Sequence, residues 1–479
     1  MKTVRTTAVT ASLALILTAC GGGGGSNQQP VAGGGGAAPN PPATGCAVSD
    51  QISFADDVLN EWYLFPNLLD NTVNQADFND VQSFLDARVA PARAQSRDVG
   101  FTFATSIAEE NALIASGSSA GFGIRLIYDT VNNRVFVIEA FENGNGFQAG
   151  FDRGSELLAI GTTSSNLQTV SSLMASGGPS AVIDALGPSD PGVQRVLRFT
   201  TPTGSTVETS VTKTDFSLDP ISDRYGSLIL DDGGKKVGYL NLRTFIVSDA
   251  DEQLRDAFEL FRSEGVTELI FDFRYNGGGL VRVAETLGDL MGQGRVGQVF
   301  SETVLRASKS SENSTELFET ETNAIQPTKI AVIATRSTAS ASELVTNSMI
   351  PYVANDSIAL IGSNTSGKPV GQFGFDLAAC DLRVRAVTFQ TVNADGNGDY
   401  FTGLASEIPN SCRATDDIFT ALGDPSEASI SRALDFLAGR TCTPITGTPG
   451  QQGALSASQM EVLQPDRPSV AQFEVPGLY

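Results

Sequence analysis

Two short segments of the sequence carry residue types that could do covalent chemistry. One is Ser337-Thr338-Ala339-Ser340-Ala341-Ser342-Glu343 and the other is Thr365-Ser366-Gly367-Lys368-Pro369-Val370-Gly371-Gln372. The first follows the apolar run Lys329 to Ala334 and precedes a helical pattern, so Ser340 falls at a strand-to-helix turn. There the free N–H groups of a helix start point outward and the helix dipole favours negative charge. A serine hydroxyl at such a turn is a candidate nucleophile for acyl transfer, because an oxyanion formed beside it meets ready-made donors, each worth roughly 3 kcal/mol of barrier. The simpler reading of Ser340 taken alone is an ordinary N-cap.

A nucleophilic serine needs a base, and the chain has no histidine among its 479 residues. That removes Ser-His-Asp and Cys-His catalysis and most zinc and non-haem iron sites. Lysine is the remaining candidate. To act near neutral pH it has to lose its proton well below about 10.4, a difference of about 4 kcal/mol that burial can supply. Lys368, 28 residues past Ser340, lies in a segment that begins just after the next expected strand, which would place it beside the helix that Ser340 opens; taken alone, its simpler reading is a solvated loop lysine. The net charge of −23, with no concentrated Lys/Arg patch, excludes nucleic acid as a natural partner.

The elements that must position these segments can be read from the apolar pattern. Between Asp219 and Arg440 strands and helices alternate, which indicates an α/β domain. Strands are expected at Val237–Leu242, Glu268–Phe273, Lys329–Ala334 and Ile358–Gly362. Helices are expected at Asp251–Arg262, Leu280–Met291 and Ala339–Ile350, the last stopped by Pro351. Arg274-Tyr275-Asn276-Gly277-Gly278-Gly279 turns the second strand into a helix. Upstream, residues 46–115 show helical spacing (Phe54, Val58, Leu59, Trp62; Phe78, Val81, Phe84, Leu85) and read as a small helical cap. From Ser119 short strands and glycines take over.

Together the two segments resemble the C-terminal processing proteases, the S41 family of serine peptidases, which pair a serine with a lysine and carry a PDZ domain ahead of the catalytic core. The resemblance spans residues 116 to 440. It implies Ser340 as nucleophile, Lys368 as general base and Gln372 as the residue orienting the lysine, with Glu343 structural. The glycine turn resembles the family's Asp-x-Arg-x-Asn-Pro-Gly-Gly signature with Gly277 in place of proline, and it implies an oxyanion donor at Gly278 or Gly279 beside the N–H of Ala341. Gly121-Phe122-Gly123-Ile124 resembles the PDZ loop that receives a peptide's terminal carboxylate, the peptide adding as an extra strand. Gly154-Ser155 stands where that family has Gly-Asp, and Pro409-Asn410 where the closing strand of the peptidase has Pro-Asp. The implied architecture is a multidomain chain, with a crotonase/ClpP-like S41 α/β core (216–440), a β-rich PDZ-like domain (116–215) and the N-terminal cap (46–115). The implied function is endoproteolysis of exported proteins with apolar C-termini, without metal or organic cofactor. An adaptor protein or a second copy of the chain are the further partners considered. The rival reading is a binding protein on the same fold that holds peptide tails without cutting them.

Residues 1–20 read as a secretory signal, with Lys2 and Arg5 before an apolar run that is too short to span a membrane. Leu17-Thr18-Ala19-Cys20 resembles a bacterial lipobox, implying lipidation of Cys20. Residues 21–45, rich in Gly, Pro, Ala, Asn and Gln, read as a flexible tether spanning roughly 25–30 Å. The expected location is an exported lipoprotein at the periplasmic face of the outer membrane or the cell surface. Cys46, Cys380, Cys412 and Cys442 remain, an even number that suggests two disulfides in an exported chain, with Cys380–Cys412 and Cys46–Cys442 the expected pairing among three. Residues 441–479 read as a poorly ordered tail.

Overall fold

The computed structural model describes residues 46–446 and 460–479. The expectations for the signal, for Cys20 and for the tether fall on residues 1–45, outside the described residues. Among those described, no helix is long and apolar enough to cross a membrane.

The core is a six-stranded sheet in the order Ser227–Asp232, Lys235–Asn241, Glu268–Asp272, Lys329–Ala334, Ile358–Gly362, Asn410–Arg413. The first pair is antiparallel and every later pair parallel. Parallel strands covered on both faces read as unbroken apolar runs. All five residues of Glu268–Asp272 and of Ile358–Gly362 are indeed buried. Helices Ala250–Ser263, Val281–Leu290 and Ala341–Met349 bury their apolar stripes on one side, and Ala428–Leu437 does so on the other.

A second sheet pairs Val370–Leu377 with Leu382–Val392 and extends through Val299–Leu305. The N-terminal helices Val48–Trp62 and Val81–Arg88 pack on this hairpin, with Phe54, Leu59, Phe84 and Leu85 closed against Phe375, Val384 and Val387. This packing sets one disulfide. Cys46, just ahead of the first helix, meets Cys380 at the hairpin tip with Cα atoms 5.3 Å apart, and Cys412 meets Cys442 at 5.4 Å. The pairing expected from the sequence is therefore corrected. Cys412 lies on the edge strand of the core sheet and Cys442 follows the helix that covers that sheet, so neither faces the hairpin.

The third sheet is antiparallel: Met460–Val462, Ile124–Asp129, Arg134–Ala140, Glu156–Gly161, Gln194–Thr200, Thr206–Thr212, with helix Val170–Leu186 packed on it. Buried ion pairs join it to the core. Glu139 receives Arg125 at 2.9 Å and Arg243 at 2.6 Å, and Asp416 receives both Arg153 and Arg274 at 3.0 Å.

The first strand in that order is supplied from the far end of the chain, which corrects, for residues 460–479, the reading of residues 441–479 as a poorly ordered tail; residues 447–459 lie outside the described residues. Residues 460–479 form a strand and the helix Val470–Glu474, and Leu463, Val475, Leu478 and Tyr479 are buried. Their apolar side chains find partners in two other domains, which average composition cannot reveal.

Candidate active site

Ser340 sits at the N-terminus of helix Ala341–Met349, all nine of whose residues are buried. Its backbone takes φ 53° and ψ −116°. A side chain rarely adopts that conformation, and it persists only where the surroundings impose it. The surroundings are visible. Ala339 N–H donates to the Asn276 carbonyl (3.0 Å), and Thr338 Oγ1 donates to the Phe273 carbonyl (2.7 Å), so the turn is pinned to the neighbouring strand's glycine loop. That loop approaches closely because it is glycine: a Cβ on Gly278 would lie 2.6 Å from Ser340 Cβ.

Glu343 supplies the remaining anchor. Its carboxylate is buried and accepts three backbone N–H bonds, from Ser340 at 3.0 Å, Gly367 at 2.8 Å and Lys368 at 2.8 Å. Burial pushes its carboxyl above the usual range, and these bonds, with one from the Thr365 side chain, pull it back. The sequence marked this position as structural; it did not reveal that one side chain ties both catalytic candidates together.

Ser340, Ala341, Leu344, Lys368 and Phe389 line one small cavity. Lys368 is held below the ordinary lysine range, chiefly by burial, while Glu474, Asp98 and Glu343 favour its charged form and Arg385 opposes it. Its Nζ lies 5.2 Å above the ring of Phe101. Gln372, expected to orient the lysine, donates through Nε2 to the Phe101 carbonyl at 2.7 Å. Phe101 thus contacts both residues, and its own N–H is fixed by Asp98 at 2.8 Å.

The glycine turn divides its donors. Gly278 N–H is taken by Asn276 Oδ1 at 2.9 Å, and Gly277 N–H donates to the Glu474 carbonyl at 3.0 Å. Ala341 is the first helical residue, so its N–H precedes the intrahelical ladder. Gly279 packs its Cα against Phe245 and Ile246, where a Cβ would come within 2.2 Å of Ile246 N.

The Gly121–Ile124 loop forms between two strands, with Phe122 buried and Gly123 at φ 72°. The edge of strand Ile124–Asp129 beside it carries the chain's own residues 460–463 and 477–479.

Four residues near the site escaped sequence reasoning: Phe101, Asp98, Asn276 as a shaping residue, and Glu474. Glu474 is pushed up to about 7, first by burial, with Lys368 lowering it, Glu110 raising it and Arg385 lowering it. Burial outweighs the attraction between Glu474 and Lys368, so both shift towards neutrality.

Residues 236–408 match the model of peptidase family S41. The chain is 26% identical over 292 residues to the chloroplastic C-terminal processing peptidase of Tetradesmus obliquus, covering 58% of this chain and 57% of that protein. It thus spans a little over half the length of the curated relative it matches. A solved structure from Bacteroides fragilis NCTC 9343, assigned to the S41 proteases, superposes with a TM-score of 0.61 at 22% identity, over 81% of this chain and 97% of that one. The photosystem II D1 C-terminal processing protease gives a TM-score of 0.43 at 19% identity, over 74% and 91%. A multidomain chain built on the S41 protease fold is the class defined here. This chain carries a peptidase family S41 domain and is a homologue of the C-terminal processing peptidases.

Proposed function

We propose that the chain is a serine endopeptidase working through Ser340 and Lys368. The observation that carries this reading is the shared cavity: a serine held at positive φ on a helix N-terminus and a lysine deprived of solvent line the same small space. Neutral Lys368 Nζ takes the Ser340 hydroxyl proton as Oγ bonds to the scissile carbonyl carbon. The lysine then gives that proton to the departing amine as the C–N bond breaks, and water repeats the sequence on the acyl-enzyme. Of the donors expected from the sequence, Ala341 N–H and Gly279 N–H provide the oxyanion site, Gly278 N–H being taken by Asn276. Gln372 positions Lys368 through Phe101.

Substrates would be exported proteins with apolar C-terminal tails, docked as an added strand on Ile124–Asp129 beside the Gly121-Phe122-Gly123-Ile124 loop, in the manner of a PDZ domain. The N-terminal helices buttress, as a small cap, the hairpin that carries Gln372 and directly follows Lys368. Lipidation at Cys20 would hold the enzyme on a membrane facing the periplasm or the cell exterior. An unstructured protein with an apolar C-terminus, incubated with the full chain and with its Ser340→Ala and Lys368→Ala variants, tests the reading. Cleavage lost in both variants at unchanged thermal melting supports it; cleavage that survives Ser340→Ala overturns it.

A further inference from the structure

The segment Met460–Tyr479 occupies the places where the reading above puts a peptide. Met460–Val462 pairs antiparallel with Ile127–Asp129, and Leu463 N–H donates to the Leu126 carbonyl at 2.9 Å. After helix Val470–Glu474 the chain returns to the same strand. Leu126 N–H donates to the Gly477 carbonyl at 2.8 Å, and Ile124 and Tyr479 exchange N–H···O bonds of 3.1 and 2.8 Å. The backbone groups of Ile124 and Leu126 that an added peptide strand would use are therefore taken. Tyr479 is buried in one cluster with Phe122, Ile124 and Leu126.

Between those two contacts the segment crosses the catalytic turn. The Glu474 carbonyl accepts Gly277 N–H at 3.0 Å, and the Phe473 ring stacks on Phe103 with centroids 4.2 Å apart. The carboxylate of Glu474 is buried, its Oε2 has no hydrogen-bond partner among the described residues, and it acts electrostatically on Lys368. The departure of the turn from the S41 signature falls at this contact. A Cβ at Gly277 would lie 2.1 Å from the Phe473 carbonyl oxygen, and proline there would also lack the N–H that Glu474 uses. Glycine at 277 fits a chain whose own segment crosses the turn.

We propose that Met460–Tyr479 is a ligand supplied in cis, filling the peptide groove and the cleft and keeping the peptidase latent until a competing tail displaces it. The proposal rests on the peptidase reading of Ser340 and Lys368. It also specifies the competitor: a peptide that pairs with Ile124–Asp129 and places an aromatic or large aliphatic residue where Tyr479 packs against Phe122 and Ile124.

The test uses the full chain with the recognition sequence of a site-specific protease inserted between Gly450 and Ala454, so that cutting frees the segment without removing any of it. After cutting and exchange of the freed segment, kcat/KM on an unstructured protein should rise at least tenfold. Adding a synthetic peptide of residues 460–479 should restore the low rate, and the same peptide with Tyr479→Asp should not. In the uncut chain Leu478→Asp should raise the rate likewise, with thermal melting reporting that the rest stays folded. An unchanged rate after release, or in folded Leu478→Asp, overturns the latency. A separate arm follows binding of the fluorescent 460–479 peptide to the cut, exchanged Ser340→Ala variant by anisotropy, which needs no turnover. No binding there overturns the cis ligand. Binding with no hydrolysis by any form overturns the peptidase reading and the latency with it.

Discussion

The backbone N–H groups of Ser340 and Lys368 donate to the same atom, Oε2 of Glu343, at 3.0 and 2.8 Å. Residues 28 apart in the chain are thereby registered to each other by one buried carboxylate, independently of either side chain. Glu343→Gln keeps the shape but turns one end into a donor facing backbone donors. Hydrogen bonds to a charged acceptor are worth about 1.5–3 kcal/mol each. We expect the variant to lose at least tenfold in kcat and to melt several degrees lower, with KM little changed. Unaltered kcat in a folded Glu343→Gln protein would show that this registration does not matter for chemistry.

The lowered basicity of Lys368 makes a second prediction, about stability and pH. Its folded value lies below lysine's ordinary 10.5, mainly through burial. Between those two values the unfolded chain holds a proton that the folded chain has released, so stability rises with pH across that window. Lys368→Met should abolish this slope, measured as chemical-denaturation midpoints along a pH series, and should reduce activity at least about a thousandfold. Lys368→Arg should not rescue activity, because a guanidinium keeps its proton. A slope that persists in Lys368→Met would assign it to another group.

Glu474 titrates in the opposite sense. Its folded value, about 7, lies above 4.5, so the docked segment is stabilised fully below about pH 4.5 and progressively less as pH climbs through about 7. Lys368, Glu110 and Arg385 are the charges that act on it. Hydrogen exchange at the amides of Gly477 and Tyr479 should accelerate between those limits by more than base catalysis accounts for. Glu474→Gln should remove the excess. Equal excess in wild type and variant would exclude Glu474 as the source.

The core was legible in the sequence because its strands are apolar runs and its helices carry a clean 3.6-residue stripe. Glu268–Asp272, Lys329–Ala334 and Ile358–Gly362 appear within a residue of their expected limits, and helix Ala250–Ser263 brackets the expected Asp251–Arg262. Ser340 and Lys368 were legible because their neighbours form two local motifs. What was hidden depends on contacts distant in sequence. Cys46 is paired with Cys380, 334 residues away, because a helix packs on a hairpin, and no spacing rule encodes that. Phe473, Leu478 and Tyr479 follow a stretch rich in Gly, Gln and Ser, so their apolar character was averaged away. Gln372 was named by motif, but its hydrogen bond reaches a carbonyl 271 residues upstream, which no local motif encodes.

The pairing of cysteines can be read directly. Proteolysis under non-reducing conditions followed by mass spectrometry should yield linked peptides for Cys46–Cys380 and Cys412–Cys442, and neither Cys380–Cys412 nor Cys46–Cys442. Cys46→Ser with Cys380→Ser should cost about 2–5 kcal/mol of stability, as is typical of native disulfides. The first helix, which packs on the hairpin carrying Gln372, should then exchange its amides faster. Linked peptides in any other combination would contradict the packing of that helix.

The glycine turn supplies the last prediction through a contrast between neighbours. Gly278 has φ 117°, and an added Cβ would meet Ser340 Cβ at 2.6 Å and Ala341 N at 3.1 Å, both in a rigid, buried turn. Neither atom can give way without tilting the serine, so Gly278→Ala should lower kcat at least about a hundredfold and cost more than about 1 kcal/mol of stability. At Gly277 the added Cβ meets Phe473 O at 2.1 Å and Glu474 Cα at 3.0 Å, atoms of the crossing segment and not of the catalytic turn. That strain can be relieved by moving the segment away. Gly277→Ala should therefore leave kcat near wild type or raise it, and free residues 473–479 to exchange. Rates and exchange measured on the two variants side by side decide the matter: equal loss of activity in both would mean that the segment cannot move independently of the turn.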